Sequence, residues 1–227
     1  MLELTNVWRI YHVGDEEIIA LRDVSLTIGD AEFVAIVGPS GSGKSTLLQI
    51  AGLLDRPSRG SVVLNGQDTS QLTDEERARL RLETIGFVFQ RFHLLSDLTA
   101  MENVALPLEA AGVDPAPRYA SAASLLTAVG LGDRLMFRPA QLSGGQRQRV
   151  AIARALANHP SIIFADEPTG ELHSEDKARV IGLLRSVQNE GRTVIVVTHD
   201  LEVAAVAQRR IEIRDGRVQE IAAGTPH

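Results

Sequence analysis

The sequence predicts an α/β fold over residues 1–227, with a mainly parallel core sheet, an antiparallel β edge and a helical insert. Three short apolar runs lack alternation, which is typical of strands buried on both faces: Phe33–Val37, Ile162–Phe164 and Thr193–Val197. A helical pattern over about Ser174–Glu190 separates the last two runs. Because strands that alternate with helices favour parallel pairing, we expect these runs to form the core of one sheet.

Further strands are predicted towards both ends of the chain. Near the N-terminus, apolar and polar residues alternate between turn residues at Gly14-Asp15 and Gly29-Asp30. Near the C-terminus, Asp215-Gly216 separates two short stretches, which predicts a closing hairpin. The predicted strands are Leu2–Tyr11, Ile18–Leu21, Val24–Ile28, Ser61–Leu64, Arg210–Ile213 and Val218–Ile221.

Helical patterns fill much of the middle of the chain. Thr73 with Glu76, and Thr99 with Glu102, match the capping box that satisfies the first backbone N–H groups of a helix. A strand is predicted between them at Ile85–Phe89. The other predicted helices cover about Ser45–Ala51, about Asp97–Arg138 with a break at 114–117, and Gln146–Asn158.

Composition narrows the classes of function. The net charge is −6, which disfavours general nucleic-acid binding, because neutralising phosphates needs surplus Lys and Arg. Cysteine is absent, which excludes disulfides, thiolate metal sites and cysteine nucleophiles. No apolar run reaches the roughly 20 residues that span a bilayer, and residues 1–6 lack the features of a signal peptide. We therefore expect a cytoplasmic chain that reaches a membrane through a partner.

A glycine-rich segment after the first buried strand matches the phosphate-loop pattern GxxxxGK[ST]. The matching residues are Gly38, Pro39, Ser40, Gly41, Ser42, Gly43, Lys44 and Ser45, and Thr46 follows them. Its backbone N–H groups and the following helix N-terminus suit phosphate oxygens. Lys44 is expected to reach the β- and γ-phosphates and Ser45 to bind Mg²⁺. A glycine-rich turn that binds nothing is disfavoured by this context, although the motif alone is shared with kinases and GTPases.

Two carboxylates end the buried strand that begins at Ile162. In a parallel sheet, the carboxyl end of a strand beside the phosphate loop is where catalytic groups lie. Asp166 is expected to hold Mg²⁺, directly or through water, and Glu167 to accept a proton from an attacking water. The alternative is a pair of solvated acids, which the phosphate loop upstream disfavours.

A third motif, Leu142-Ser143-Gly144-Gly145-Gln146, precedes an Arg- and Ala-rich helix. The amides of Gly144 and Gly145 at a helix start form an anion site, although the chain already has one. With the residues that follow, at 147–155, the segment resembles the ATP-binding-cassette (ABC) ATPases. The resemblance implies a P-loop NTPase fold, with a RecA-like core and β edge at 1–90 and 160–227 and a helical subdomain at about 91–159. It also implies ATP and Mg²⁺, held at the interface of a homodimer in which this motif caps the partner's ATP.

Other positions fit the resemblance. It implies that Gln90 contacts Mg²⁺ and water, that His199 contacts the γ-phosphate, and that Tyr11 stacks on adenine. Taken alone, each would be a structural or surface residue, and Trp8 is a competing aromatic. His173 stands where the family usually has an aspartate that couples the two ATP sites, so this coupling is in doubt.

The segments at 52–57, 85–95 and 98–104 resemble the macrolide-exporter and lipoprotein-release branch of the family. This branch implies an ATP-hydrolysing subunit, peripheral on the cytoplasmic face of the inner membrane, that energises an integral-membrane permease. A groove for a cytoplasmic helix of the permease is expected around Gln90 and residues 91–95, where Phe92, Leu94 and Leu95 are expected to be exposed. The competing interpretation is that these three residues fill the core under the helical insert. The alternatives are a soluble ABC ATPase of DNA repair or translation, and a metabolite kinase, which would leave residues 142–146 unexplained. The cargo, the direction of transport and the permease are not encoded in these motifs.

Overall fold

The structure is a computed structural model that describes residues 1–221. Its ten strands are β1 Leu2–Val13, β2 Glu16–Ile28, β3 Phe33–Val37, β4 Arg59–Leu64, β5 Gln67–Asp68, β6 Ile85–Phe89, β7 Ile162–Asp166, β8 Thr193–Val197, β9 Arg209–Arg214 and β10 Arg217–Ile221. Its seven α-helices are α1 Lys44–Ala51, α2 Asp74–Thr84, α3 Ala100–Ala110, α4 Pro115–Ala128, α5 Gly144–Ala155, α6 Ser174–Asn189 and α7 Leu201–Val206.

The strands form two sheets. The six-stranded sheet has the order β10-β9-β3-β8-β7-β6, and all its pairs are parallel except β9 with β10. The four-stranded sheet has the order β2-β1-β4-β5 and is antiparallel. This arrangement confirms the predicted α/β fold with a parallel core and an antiparallel edge.

The core sheet is buried on both faces, as the unbroken apolar runs predict. Alternate residues of one strand enter different apolar clusters: Val34 and Ile36 pack on one side, and Phe33 packs on the other. Helix α1 covers the first face and α6 covers the second. A third cluster joins α3, α4 and α5 and holds residues such as Val104, Leu126 and Val150. The boundaries of the helical subdomain, about 91–159, stay a prediction.

Several predicted boundaries are wrong for identifiable reasons. The two strands expected at Ile18–Leu21 and Val24–Ile28 are one strand, β2, which passes through Asp23 at φ +53°. A hydrogen bond of 2.9 Å from Asn6 Nδ2 to Asp23 Oδ1 bridges irregular positions in both strands of the pair. The break predicted at 114–117 exists but lies a few residues earlier, between the end of α3 at Ala110 and the start of α4 at Pro115, because a first-turn proline loses no hydrogen bond. The helix predicted to reach Arg138 ends at Ala128.

Two further differences concern helices. Helix α5 begins at Gly144, inside the third motif, and ends at Ala155. Helix α7 was not predicted, since it is only Leu201–Val206 and offers too few turns for a periodic pattern. Among residues 1–221, no helix combines the length and the apolar character needed to cross a bilayer.

Candidate nucleotide site

The phosphate loop connects β3 to α1 and is pressed against neighbouring backbone. Gly38 has a φ of +152°, and a Cβ there would lie 2.2 Å from the carbonyl oxygen of Ile213. Gly43 has a φ of +107°, and a Cβ there would lie 2.5 Å from the carbonyl oxygen of Ala20. Side chains at either position would therefore force β9 or β2 away from the loop.

The N-terminus of α1 is open. Gly43 is its N-cap, no side chain of the described residues caps it, and its first turn carries no acid. The ammonium group of Lys44 donates to the carbonyl oxygens of Gly38 at 2.9 Å and Pro39 at 2.8 Å. The loop thus closes around its own lysine, and the unpaired N–H groups of a helix start form an anion site.

A cavity of about 380 Å³ adjoins this loop and brings most of the predicted residues together. The predicted residues that line it are Ser40, Gly41, Gly43, Lys44, Ser45, Thr46, Gln90, Asp166 and Glu167. Gly38, Pro39 and Ser42 belong to the same loop without lining this cavity. Segments that lie far apart in the sequence therefore meet at the carboxyl ends of β3, β6 and β7, as the parallel sheet requires.

Asp166 is a half-buried carboxylate at the end of β7. Burial raises its pKa, and the charge of Glu167 raises it further, while Ser45 and Lys44 act in the opposite direction. A cation beside it would relieve this cost. The hydroxyl of Ser45, the amide of Gln90 and this carboxylate offer the oxygen ligands that Mg²⁺ prefers. Among residues 1–221 no cluster of three or more His, Cys, Asp or Glu forms a metal cage. This fits an ion that takes its other ligands from substrate phosphates and water.

Glu167 is held in an unusual conformation by its neighbours. Its φ is +46°, and its backbone N–H donates to Val197 O at 2.9 Å. Its carboxylate oxygens lie 2.8 Å from Nδ1 of His199 and accept bonds of 3.3 Å from Thr198 Oγ1 and the His199 backbone N–H. Because a carboxylate only accepts, Nδ1 carries the proton in this pair. Glu167 and His199, predicted from separate motifs, are thus direct neighbours.

Sequence reasoning did not identify Thr198. It is fully buried, donates to Glu167 and accepts the backbone N–H of Asp200 at 2.9 Å. Asp200 in turn accepts from Lys177 at 2.8 Å. The only sequence signal for Thr198 was its position between a buried strand and His199. A threonine at such a position matches no distinctive pattern, so the signal did not indicate a functional residue.

Gln90 and Tyr11 occupy different parts of the site. Gln90 lines the cavity and lies against Gly170, where a Cβ would be 3.1 Å from its Nε2. Tyr11 is not among the described residues that line the cavity. It pairs across β1 and β2 with Ile18, which does line it.

The third motif forms the start of α5. Ser143 caps the helix, its hydroxyl accepting the Gln146 N–H at 3.2 Å, while the Gln146 side chain accepts the Ser143 N–H at 2.8 Å. Gly145 has no room for a side chain, since a Cβ would lie 2.0 Å from the Asp176 carboxyl carbon. Within the described part of the chain, residues 143–146 do not line the cavity at the phosphate loop. His173, the exposed N-cap of α6, provides no side-chain cap.

Comparisons with known proteins agree with this arrangement. Residues 21–170 match a family model described as ABC transporter. The chain is 52% identical over 216 residues to the macrolide export ATP-binding/permease protein MacB of Shewanella sp. (strain W3-18-1), covering 95% of this chain and 33% of that protein. It is 52% identical over 221 residues to an uncharacterized ABC transporter ATP-binding protein of Methanocaldococcus jannaschii, covering 97% of this chain and 99% of that protein.

Solved structures are similar over the whole chain. The dimeric, post-hydrolysis structure of the ATP-binding cassette MJ0796 bound to ADP and Pi has a TM-score of 0.92 at 45% identity, covering 100% of both chains. A second dimeric structure of MJ0796, described as a bacterial ABC transporter cassette, has a TM-score of 0.92 at 46% identity, again covering 100% of both chains.

Proposed function

The chain belongs to the ABC transporter family as its ATP-binding, ATP-hydrolysing cassette, and we propose that it works as a homodimer that energises a separate inner-membrane permease. The observation that carries the proposal is the convergence of Lys44, Ser45, Gln90, Asp166 and Glu167 on one cavity. This set provides phosphate-binding, metal-binding and proton-accepting groups within one site.

We assign the chemistry of the site to its own residues. The phosphate loop and Lys44 bind the triphosphate, and His199 contacts the γ-phosphate. Glu167 accepts a proton from the water whose oxygen attacks the γ-phosphorus, while ADP leaves with the electrons of the broken P–O bond. Ser45, Gln90 and Asp166 would hold Mg²⁺, which neutralises charge on the phosphate oxygens when bound.

The proton-accepting role of Glu167 is tested by Glu167→Gln. The amide keeps the size and can still accept a hydrogen bond, but it cannot take a proton. We expect retained ATP binding, accumulation of an ATP-bound dimer, and a turnover rate lower by about 10²- to 10⁴-fold. Phosphate release and nucleotide binding are measured in parallel.

The matched control is Glu83→Gln, which neutralises an exposed carboxylate on α2 outside the cavity and should leave turnover unchanged. Hydrolysis within a factor of about three of wild type in Glu167→Gln would remove the role that we assign to Glu167.

The homodimer is supported by the separation of two anion sites within one chain. The phosphate loop lies at the cavity, whereas the start of α5 lies outside its described lining. A second copy would bring Ser143 and the Gly144 and Gly145 amides to the γ-phosphate of ATP bound by its partner. The dimeric MJ0796 structure bound to ADP and Pi is a precedent for this assembly in a related cassette.

A permease-binding groove is supported by a second cavity of about 520 Å³ next to β6. Phe87, Phe89 and Leu82 form apolar walls, and Arg81 and Arg154 add positive charge. The expectation that Phe92, Leu94 and Leu95 are all exposed in this region is wrong. Phe92 is buried at 8% exposure and Leu94 packs on the helical cluster, whereas Leu95 is 53% exposed.

Leu95→Glu tests the apolar surface at residues 91–95 beside this groove, because His93 lines the cavity and Leu95 itself does not. We expect weaker cosedimentation with membrane vesicles that contain the candidate permease, with no change of melting temperature or basal hydrolysis, because the side chain is exposed. Met136→Glu, at another exposed apolar residue that does not belong to residues 91–95, is the matched control. Unfolding of Leu95→Glu, or equal binding by both variants, would contradict the assignment.

The alternative of a soluble repair or translation ATPase is not favoured, because the relatives with a stated function are export proteins. The chain spans about a third of the length of those relatives, which carry ATP-binding and permease functions in one chain. We accordingly propose that this chain meets its permease on the cytoplasmic face of the inner membrane.

A further inference from the structure

The Tyr11 side chain is fixed by two polar neighbours, Arg9 and Asp55. We propose that Arg9 and Asp55 are positioning residues that hold the Tyr11 ring as a ready-made platform for the base of the bound nucleotide. The inference rests on the proposed function, because it presupposes that the phosphate loop binds a nucleotide.

The three side chains form a closed arrangement. The guanidinium carbon of Arg9 lies over the Tyr11 ring, 4.4 Å from its centroid. Arg9 also forms an ion pair of 2.8 Å with Asp55 Oδ2, and the Tyr11 hydroxyl donates to the same oxygen at 3.2 Å. A cation over an aromatic face is attractive in itself, and the shared carboxylate fixes both partners. The ring is thereby held at its face and at its hydroxyl end.

Asp55 is itself immobilised. Its Oδ1 accepts the backbone N–H of Arg56 at 2.7 Å, and its carbonyl oxygen accepts from the guanidinium of Arg77 at 2.6 Å. The side chains of Arg9 and Asp55 are only 23% and 28% exposed. A largely shielded pair in which both Asp55 carboxylate oxygens are bonded holds its geometry better than a solvated surface pair, although Arg9 Nε has no partner among the described residues.

These contacts connect the ring to the phosphate loop. Asp55 follows α1, the helix that begins at the loop, and its backbone N–H donates to Gln49 of that helix at 3.1 Å. Strand β1 is attached to the same connection through Ser58, which donates its N–H to Trp8 O at 2.7 Å and accepts the Ile10 N–H at 3.0 Å. The distance between the ring and the loop is therefore set by folded structure on both sides.

The position of the ring suits a base and not a phosphate. Tyr11 pairs with Ile18, and Ile18, Ile19 and Ala20 line the cavity beside Lys44. With Arg9 on one face, the opposite face is the one left for stacking. An aromatic platform ordered before binding lowers the entropic cost of stacking a base on it. Arg9 and Asp55 act through the ring, so their effect requires a base on the ligand.

The test compares two ligands, ATP and inorganic tripolyphosphate, which has the phosphates but no base. For Arg9→Gln and for Asp55→Asn we expect the Kd for ATP to rise about five- to thirtyfold, and the Kd for tripolyphosphate to change less than about twofold. Arg9→Lys, which can still pair with Asp55, should recover most of the ATP affinity. In the double variant Arg9→Gln/Tyr11→Ala, the losses should not add, because both changes remove the same platform.

The chain offers a matched control in Arg118, which pairs with Glu109 at 3.3 Å and lies 5.2 Å from the Tyr119 ring centroid. Arg118→Gln removes the same kind of contact from the α3–α4 region and should leave both affinities unchanged. Melting curves show whether each variant is folded, and Asp55→Asn and Arg9→Lys keep the test decisive if Arg9→Gln is unstable.

Three results from the variants at Arg9 and Asp55 would overturn the proposal: equal weakening of ATP and tripolyphosphate binding, which indicates a charge effect; unchanged ATP affinity; or additive losses in the double variant. If Tyr11→Ala alone leaves the ratio of the two affinities unchanged, the platform is refuted while the ATPase assignment stands. If the wild-type chain binds neither ligand, the proposed function itself fails.

Discussion

Helices α1 and α5, which we propose to face the nucleotide, differ from α2 and α3 in how their first N–H groups are satisfied. Helix α1 begins at a left-handed Gly43 without a side-chain cap from the described residues, and α5 begins at the neutral Ser143–Gln146 capping box. By contrast, α2 and α3 begin at capping boxes that end in glutamate, Thr73–Glu76 and Thr99–Glu102. Each of these four helices has backbone N–H groups without intrahelical partners at its start. Only α1 and α5 begin without a negatively charged side chain there.

The charge difference has a direct electrostatic meaning. Hydrogen bonds from the backbone N–H and the hydroxyl of Thr73 lower the pKa of Glu76, and those of Thr99 lower the pKa of Glu102. Both boxes are therefore ionised at neutral pH and repel an approaching anion. Since a helix start attracts anions through its dipole, a neutral box at α5 keeps an attraction that the acidic boxes cancel.

The largest expected effects come from one substitution at the start of α1 and one at the start of α5, which should impair different steps. Lys44→Ala should abolish ATP binding in its own site, because its ammonium is the charged phosphate ligand that we propose for that loop. Ser143→Arg should instead leave nucleotide binding by the monomer intact and prevent dimerisation, because a long side chain would fill the space for the partner's phosphate. Nucleotide binding by fluorescence titration and dimerisation by analytical ultracentrifugation make the distinction.

If each ATP is bound between two chains of a homodimer, the hydrolysis rate should depend on protein concentration. Hydrolysis by the wild type should rise more steeply than linearly with protein concentration at low concentration, as two chains must meet. Turnover per chain that stays constant on dilution far into the monomer range would show that α5 of a partner is not needed.

A smaller effect is expected when the neutral box is made acidic. Gln146→Glu should keep α5 folded, because glutamate completes a capping box as well as glutamine does. The added charge should weaken ATP-dependent dimerisation and hydrolysis about 10- to 100-fold, since like charges that face each other in an interface cost several kcal/mol. The reverse change in α3, Glu102→Gln, is the control and should leave hydrolysis unchanged. If both substitutions changed dimerisation and hydrolysis equally, the charge of the capping box at α5 would have no specific role.

The starts of these helices show which features could be predicted from the sequence and which could not. The boxes at Thr73 and Thr99 were predicted and are confirmed, because each is a local pattern of four residues. Ser143 and Gln146 have the same spacing, yet α5 was predicted to begin at Gln146; the glycines between them obscured a signal that was present. A buried parallel sheet was likewise predictable from unbroken apolar runs.

Contacts between distant residues were not predictable from such patterns. Glu167 and His199 were chosen for separate reasons, and their 2.8 Å contact depends on how β7 and β8 pair. The hydrogen bond from Tyr11 to Asp55 joins β1 to the segment that follows α1, so no local sequence pattern indicates it. Phe92 was expected on the surface, but its φ of +58° lies in a turn that places the ring under Arg147. Tertiary packing decides all three cases.

The smallest effect on activity is expected at the start of α6, where His173 is an N-cap without a side-chain hydrogen bond. Aspartate is among the best N-cap residues, so His173→Asp should stabilise the fold by about 1 kcal/mol and raise the melting temperature by about 2–4 °C. Turnover should be unchanged or modestly faster, because Glu167 and His199 supply the proposed chemistry. A role of His173 in coupling two ATP sites would alter the Hill coefficient for ATP when the side chain is replaced. Measuring that coefficient for the wild type and for His173→Asp decides the point: equal values leave His173 as a helix start that lacks a cap, and a large difference makes it part of the communication between sites.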